Sequence, residues 1–126
     1  MIRLVTFIKY AGIHLEEART ALQAENLEKA AASCSDMAVA LVKALDSALP
    51  YVTGDFMEMD EKGLGRALSE LTGSLNAARN MARDILELRN LKPCSGCQLT
   101  RREAESAFLK ADRLFASISE CCAVRP

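Results

Sequence analysis

Apolar residues recur along the chain at steps of three and four, the spacing that places side chains on one face of an α-helix. The first stripe begins at Leu4 and ends near Ala24, and the second begins at Leu27 and is ended by Pro50. Asn26, between them, can cap the second helix by accepting a hydrogen bond from its first turn. So short a connection predicts an antiparallel helical hairpin. The two stripes are Leu4, Ile8, Ala11, Leu15, Ala18 and Leu22, and then Leu27, Ala31, Cys34, Ala38, Leu41, Leu45 and Ala48.

Two further stripes occupy the second half of the chain. The third runs from Leu64 to Ile85 and predicts one long helix, although each of its glycines costs about 1 kcal/mol relative to alanine. Pro93 and Gly96 interrupt the pattern, and residues 100–103 have the spacing of a capping box ahead of a fourth helix. The third stripe is Leu64, Leu68, Leu71, Leu75, Ala78, Ala82 and Ile85, and the fourth is Ala104, Phe108, Ala111, Phe115, Ile118 and Cys122.

The segment between Tyr51 and Lys62 is the least regular part of the chain. Asp55 and Glu58 have capping-box spacing, which predicts a short extra helix around residues 55–62. None of the four main stripes can be buried by its own helix, whereas four helices joined by short turns cover one another. We therefore predict an all-α fold, an up-down antiparallel four-helix bundle, formed by residues 1–126 as a single domain.

Composition and charge agree with this fold and limit the function. A chain of 126 residues that is 50% apolar suits one domain of ordinary size. The formal net charge of −1 lacks the general field that draws nucleic-acid binders to phosphate, so any RNA contact must be local. The first apolar run is too short for a signal peptide or a membrane span, and we expect a cytoplasmic protein without membrane contact.

The single histidine, His14, limits metal and acid–base chemistry. A carboxylate-bridged metal pair with Glu-x-x-His on two helices needs two histidines and is excluded. His14 directly precedes the core position Leu15. We interpret it as a boundary or surface residue that is neither a metal ligand nor a catalytic base.

Cys94 and Cys97 have the Cys-x-x-Cys spacing that can bind zinc or form a redox pair. A structural zinc needs four ligands, and no second pair of the right spacing exists. The other candidates are Cys34, Cys121, Cys122 and His14. In the alternative interpretation, the five cysteines are reduced loop residues and small core hydrophobes. A disulfide between the loop and the end of the last helix can form in an oxidising source.

Five arginines cluster toward one end of the predicted bundle. They are Arg79 and Arg83, one turn apart, and Arg89, Arg101 and Arg102, which flank the loop after the third helix. Two interpretations remain open. The region is either a solvated face balanced by Asp84, Glu87 and Glu103, or a patch that binds phosphate.

Two groups of segments resemble a known family. Residues 14–49 contain Leu15-Glu16-Glu17-Ala18, Leu22, Glu25-Asn26, Ala30-Ala31 and Leu41-Val42-Lys43-Ala44-Leu45. Further along, Arg89-Asn90-Leu91-Lys92-Pro93-Cys94 precedes Thr100-Arg101-Arg102-Glu103-Ala104-Glu105. The first group resembles the opening helical hairpin of HEPN-domain proteins, small helical bundles of prokaryotic nucleotide and RNA biology. The second resembles the family's Arg-Asn-x-x-x-His segment and the acidic start of its last helix.

The resemblance implies a function in RNA cleavage, but one catalytic residue of the family's motif is replaced in this chain. In active family members the arginine and histidine of this motif meet across a homodimer and cleave RNA without a metal. Arg89 and Asn90 match the motif, but Cys94 replaces the histidine, and a thiol of pKa about 8.5 is a poor proton shuttle at neutral pH. Gly96 stands where some toxin members carry a tyrosine that a partner nucleotidyltransferase modifies. The resemblance therefore implies a non-catalytic member without a cofactor.

We accordingly predict a HEPN-like homodimer that binds a nucleotide, RNA or a partner nucleotidyltransferase. In this hypothesis Arg89, Asn90 and Cys94 line the dimer groove, and Arg83 and Arg101 help to bind phosphate. Two alternatives belong to other classes. One is a pure protein-interaction bundle, and the other is a zinc- or redox-responsive regulator that uses Cys94 and Cys97.

Overall fold

The computed structural model describes residues 2–49, 58–91 and 99–121. Within these ranges the chain forms five α-helices and no β-strand, so the predicted all-α class is confirmed there. The helices are α1 (Ile2–Gln23), α2 (Leu27–Ala48), α3 (Glu61–Thr72), α4 (Leu75–Arg89) and α5 (Arg101–Cys121). Over the same ranges, no helix combines the length and the apolar character needed to cross a membrane.

The corner between α1 and α2 lies where the apolar pattern predicts it. The Asn26 side chain accepts a hydrogen bond from the Lys29 amide at 3.3 Å, which confirms the predicted N-cap. Glu25 has a left-handed backbone with φ of 59°, and the Asn26 amide donates to the Ala21 carbonyl at 2.8 Å. That bond satisfies a carbonyl that the end of α1 leaves unpaired, and the chain turns back as an antiparallel hairpin.

The third apolar stripe forms two helices, and the predicted single helix from Leu64 to Ile85 is wrong. The chain leaves α3 at Gly73, whose φ of +70° lies in the left-handed region that glycine adopts at little cost. The Ser74 hydroxyl then accepts a hydrogen bond from the Ala77 amide at 3.3 Å and caps α4. α3 and α4 therefore form a second helical hairpin.

The capping box predicted ahead of the last helix is present at the start of α5. The Glu103 amide donates to the Thr100 hydroxyl at 3.1 Å, and the Thr100 amide donates to the Glu103 carboxylate at 3.4 Å. The extra short helix predicted around residues 55–62 lies partly outside the described residues. In the described part, Asp60 caps α3 by accepting from the Gly63 amide at 2.8 Å.

α2 is the central helix of the core. It packs against α1, α4 and α5, while α3 packs mainly against α4. Alanines along α2 let neighbouring helices approach closely, and the fully buried Met37, Leu41 and Leu45 fill the space between them. Gly12 allows a similar approach of α5 to α1, because a Cβ there would lie only 3.3 Å from the Phe115 ring.

Ion pairs between helices show the directions in which the helices run. The start of α5 lies beside the end of α1, and later residues of α5 contact earlier residues of α1. The same order holds between α4 and α5, so α5 is antiparallel to both. The pairs are Arg101–Glu25 at 3.0 Å, Arg19–Asp112 at 4.0 Å, Arg113–Asp84 at 3.1 Å and Lys110–Glu87.

Two glycine substitutions test the reversal between α3 and α4. Gly73→Ala should lower the free energy of unfolding by about 1 kcal/mol, because alanine is strained at positive φ although nothing lies within 4 Å of its Cβ. Gly65→Ala, inside α3, should raise it by about 0.5–1 kcal/mol, because the new Cβ would lie 3.8 Å from Arg79 Cγ without a clash. Urea unfolding followed by circular dichroism measures both. Equal effects of the same sign would contradict the assigned break.

Candidate functional site

Arg89, the centre of the predicted phosphate site, is the last residue of α4 and connects three parts of the fold. Its Nη2 donates to the Met59 carbonyl at 3.4 Å, just ahead of α3. Its own carbonyl accepts a hydrogen bond from the Ser35 hydroxyl of α2 at 3.3 Å. These contacts bind the end of α4 to α2 and to the entry of α3, which is a structural role.

The rest of the predicted motif is divided between the described and undescribed parts of the chain. Asn90 is the C-cap of α4, and its amide donates to the Leu86 carbonyl at 3.0 Å. The Asn90 side chain is exposed. Cys94, Gly96 and Cys97 lie outside the described residues.

Arg83 and Arg101 are each engaged by a carboxylate from another helix or turn. Arg83 Nε lies 3.3 Å from Glu61 Oε1 at the start of α3. Arg101 contacts Glu25 at 3.0 Å and Glu105 at 2.8 Å. Arg83, Arg89 and Arg101 thus each have an internal partner, and the phosphate site expected at these residues stays a prediction.

The cysteines and the histidine form no site within the described ranges. No group of three or more potential metal ligands occurs there. Cys34 is a buried core residue and Cys121 is exposed, and both are free thiols. Burial raises the pKa of the Cys34 thiol from its ordinary 9.0 to about 11. His14 is half-buried, with Nδ1 at 3.5 Å from Glu17 Oε1, so its predicted boundary position is confirmed.

A cleft of about 620 Å³ between α3 and α4 is lined by three cations and two carboxylates. We name it the α3–α4 cleft. Its basic residues are Lys62, Arg66 and Arg79, and none of these side chains has a polar partner among the described residues. Gly65 lies beneath the stem of Arg79, and Leu75, which is 52% exposed, forms an apolar edge.

Like charges stand one helical turn apart on both sides of this cleft. Lys62 and Arg66 occupy positions i and i+4 on α3, and Arg79 and Arg83 do so on α4. Each such pair costs a helix about 0.2–0.5 kcal/mol. Two carboxylates also line the cleft, but Asp60 caps α3 and Glu61 pairs with Arg83. A bound anion would offset the remaining repulsion.

A larger cavity of about 720 Å³ lies between α4 and α5, and its charges are already compensated. Arg113 pairs with Asp84 at 3.1 Å, and Arg83 is held by Glu61. Glu120 adds a further negative charge to the lining. This arrangement gives an incoming anion no unpaired guanidinium, so the α3–α4 cleft is the better candidate for phosphate.

The sequence interpretation missed Lys62 and Arg66, which become a site only when α3 folds back on α4. It included Arg79 in the arginine cluster, as part of a solvated face or a phosphate patch, but not among the residues of the predicted binding site. The signal that could have revealed all three is the Gly73-Ser74 pair, because a left-handed glycine followed by an N-capping serine marks a helix end and a new start.

Comparison of the chain with protein-family models, curated proteins and solved structures found no match.

The structural role of Arg89 predicts a loss of stability on its removal. Arg89→Ala should lower the free energy of unfolding by about 1 kcal/mol, because the Met59 carbonyl loses a charged hydrogen-bond donor. Arg102→Ala is the matched control, since Arg102 is exposed and its side chain has no polar partner among the described residues. Urea unfolding compares the two variants. Equal stability of Arg89→Ala and the wild type would contradict the role.

Burial of Cys34 predicts that its thiol resists modification. Iodoacetamide at pH 8 should alkylate the exposed Cys121 and leave Cys34 unmodified until urea unfolds the chain. Folding raises the pKa of the Cys34 thiol, so the protonated thiol stabilises the folded state. This contribution to the free energy of unfolding is lost as the pH rises from 9.0 to about 11. Peptide mass spectrometry measures the modification. Equal rates at the two residues in the native protein would contradict the burial.

Proposed function

We propose that this protein is a non-catalytic, HEPN-like helical protein that binds a phosphate-bearing ligand, RNA or a nucleotide, in the α3–α4 cleft. The observation that supports this most strongly is the set of three cations, Lys62, Arg66 and Arg79, which face one cleft without polar partners among the described residues. The proposal keeps the ligand class implied by the resemblance and moves the binding site away from Arg89.

The proposal includes the arrangement of the helices. In it, α1, α2, α4 and α5 alternate in direction and form an up-down bundle, and α3 is an added helix on the outside of α4. The antiparallel ion pairs of α5 with α1 and with α4 support this arrangement. It leaves the α3–α4 cleft at the periphery, where a long ligand such as RNA can reach it.

The chemistry of the cleft suits phosphate better than an uncharged ligand. An arginine can donate two parallel hydrogen bonds to phosphate oxygens, and a lysine adds a point charge. Gly65 carries no side chain, which lets the stem of Arg79 pack against the α3 backbone at the wall of the cleft. The exposed Leu75 offers an apolar surface against which a base can rest.

The residues expected for RNA cleavage support binding without catalysis. The motif position of the histidine is occupied by Cys94, and the only histidine of the chain, His14, is on α1. Arg89 already donates to the Met59 carbonyl. No histidine lines the cleft, and of its two carboxylates Asp60 caps α3 and Glu61 pairs with Arg83.

Fluorescence anisotropy tests the ligand, with a labelled single-stranded RNA in one arm and a fluorescent ATP analogue in the other. Arg66→Ala and Arg79→Ala should each weaken binding about tenfold, because each removes a charged donor to phosphate. Binding should weaken as salt rises. Arg102→Ala is the control and should bind like the wild type. Competition by unlabelled ATP against RNA shows which source of phosphate the cleft prefers.

The outcomes separate the parts of the proposal. Absence of salt-dependent binding in both arms, or equal binding by the wild type and the cleft variants, would show that the cleft has no phosphate ligand. If Arg89→Ala loses binding but keeps its stability, the result would favour a binding site at Arg89. Cleavage of the RNA by the wild type would contradict the non-catalytic assignment.

A second candidate function is a protein-interaction module, which includes docking of a partner nucleotidyltransferase. The observation that favours it is the exposure of Val5 and Ile13 on α1, each about half accessible. Neighbouring apolar side chains on one exposed helix face are typical of interaction surfaces. Co-purification of a partner in the absence of nucleic acid would support this candidate.

A further inference from the structure

The outward face of α1 carries an apolar and charged stripe that the fold leaves uncovered within the described residues. The stripe consists of Val5, Lys9, Ile13, Glu17 and Thr20, spaced three or four residues apart along the helix. All five residues are exposed, and Val5 and Ile13 retain 48% and 47% of their accessible surface. We name this surface the α1 stripe.

A shallow groove of about 650 Å³ runs along the second half of the α1 stripe. Small residues, Gly12, Ala21 and Ala24, form much of its wall, and Lys9 and Ile13 lie at one end. The groove can therefore receive an aliphatic side chain such as valine. Val5 itself lies outside the groove, at the other end of the stripe.

Opposite charges lie at equal distances before and after Ile13 on the α1 stripe. Lys9 lies one turn before Ile13, and its side chain has no polar partner among the described residues. Glu17 lies one turn after Ile13, and among the described residues its one ion-pair contact is with His14 of the same helix, at 3.5 Å. Glu16 adds a second carboxylate beside it, although Arg19 already pairs with Glu16.

The charges on two copies of the α1 stripe are complementary in only one relative orientation of the two helices. If two copies of α1 met in parallel, Lys9 would face Lys9 and Glu17 would face Glu17. If they met antiparallel with Ile13 on a two-fold axis, each Lys9 would face the Glu17 of the other copy. Such an isologous contact would also bring each Val5 toward the groove beside Thr20 and Ala24 of the other copy.

We infer that the α1 stripe is a homodimer interface in which two α1 helices cross antiparallel, with Ile13 at the centre and Lys9 paired to the Glu17 of the other copy. The occupant of the groove is thus a second copy of this chain. The inference is independent of the proposed phosphate site, because the α1 stripe and the α3–α4 cleft are formed by different helices.

The size of the α1 stripe sets the expected strength of the dimer. A helix of 22 residues is about 33 Å long. One face of a single helix buries less than the roughly 800 Å² per partner that is usual in stable complexes. The dimer should therefore dissociate on dilution, and the measurement must cover a wide range of concentration.

Sedimentation velocity from about 10 µM to about 1 mM tests the interface. The wild type should pass from monomer to dimer over this range. Lys9→Glu and Glu17→Lys should each weaken association about tenfold, because two like-charge contacts replace two ion pairs. The double variant with both reversals should recover most of the affinity, since opposite charges again face each other.

Two apolar variants provide a matched comparison. Ile13→Glu should abolish the dimer, because it places two carboxylates on the two-fold axis. Leu109→Glu on α5 is the control, since Leu109 is 65% exposed and lies outside the α1 stripe. It should dimerise like the wild type. Far-ultraviolet circular dichroism and thermal melting of every variant verify that the monomer remains folded.

Three results would overturn the inference. The first is a wild type that stays monomeric at every concentration, which would leave the α1 stripe to a different partner. The second is a dimer that Ile13→Glu leaves intact while the protein remains folded. The third is a double charge variant that associates no better than the single variants. If Lys9 pairs with Glu17 of the other copy, reversing both charges must recover the affinity.

Discussion

The reversal of the chain at Gly73 and Ser74 is the constraint on which the candidate phosphate site depends. Gly73 leaves α3 through a positive φ, its amide donates to the Ser69 carbonyl at 2.9 Å, and Ser74 starts α4 at once. The Thr72 hydroxyl accepts from the Ser74 amide at 3.2 Å and donates to the Ser74 carbonyl at 3.0 Å, so the corner is held by local bonds. Because α3 folds back on α4 there, Lys62 and Arg66 come to line the same cleft as Arg79.

The apolar pattern predicts most of the fold and fails at this one corner for a physical reason. The caps at Asn26 and Thr100 are local signals, since donor and acceptor are close in sequence. Leu71 and Leu75, by contrast, keep helical spacing across the break, so the stripe continues in phase through both helices. Periodicity alone cannot distinguish one long helix from a hairpin whose two helices face the same core. Only the left-handed glycine and the capping serine carry that information.

The candidate site was less predictable because charge compensation depends on contacts between distant parts of the chain. Arg83 and Arg101 look available in the sequence, yet their carboxylate partners, Glu61 and Glu25, are 22 and 76 positions away. Arg89 likewise donates to a carbonyl 30 positions earlier. The density of arginines in a segment therefore indicates a local positive charge but does not indicate which guanidinium groups stay open after folding. The α1 stripe differs from these arginines because it stays exposed after folding. Its helical spacing can be read in the sequence, but its exposure depends on how α1 packs.

A distance between α3 and α4 tests the central claim most directly. Spin labels attached through unnatural amino acids at Glu61 and Arg83 avoid the five native cysteines, and double electron–electron resonance then reports their separation. The hairpin places the two native side chains 3.3 Å apart, so the labels should give a distribution centred below about 20 Å, which allows for label linkers. A distribution centred at about 33 Å, the length of 22 residues in one continuous helix, would contradict the reversal and remove the α3–α4 cleft.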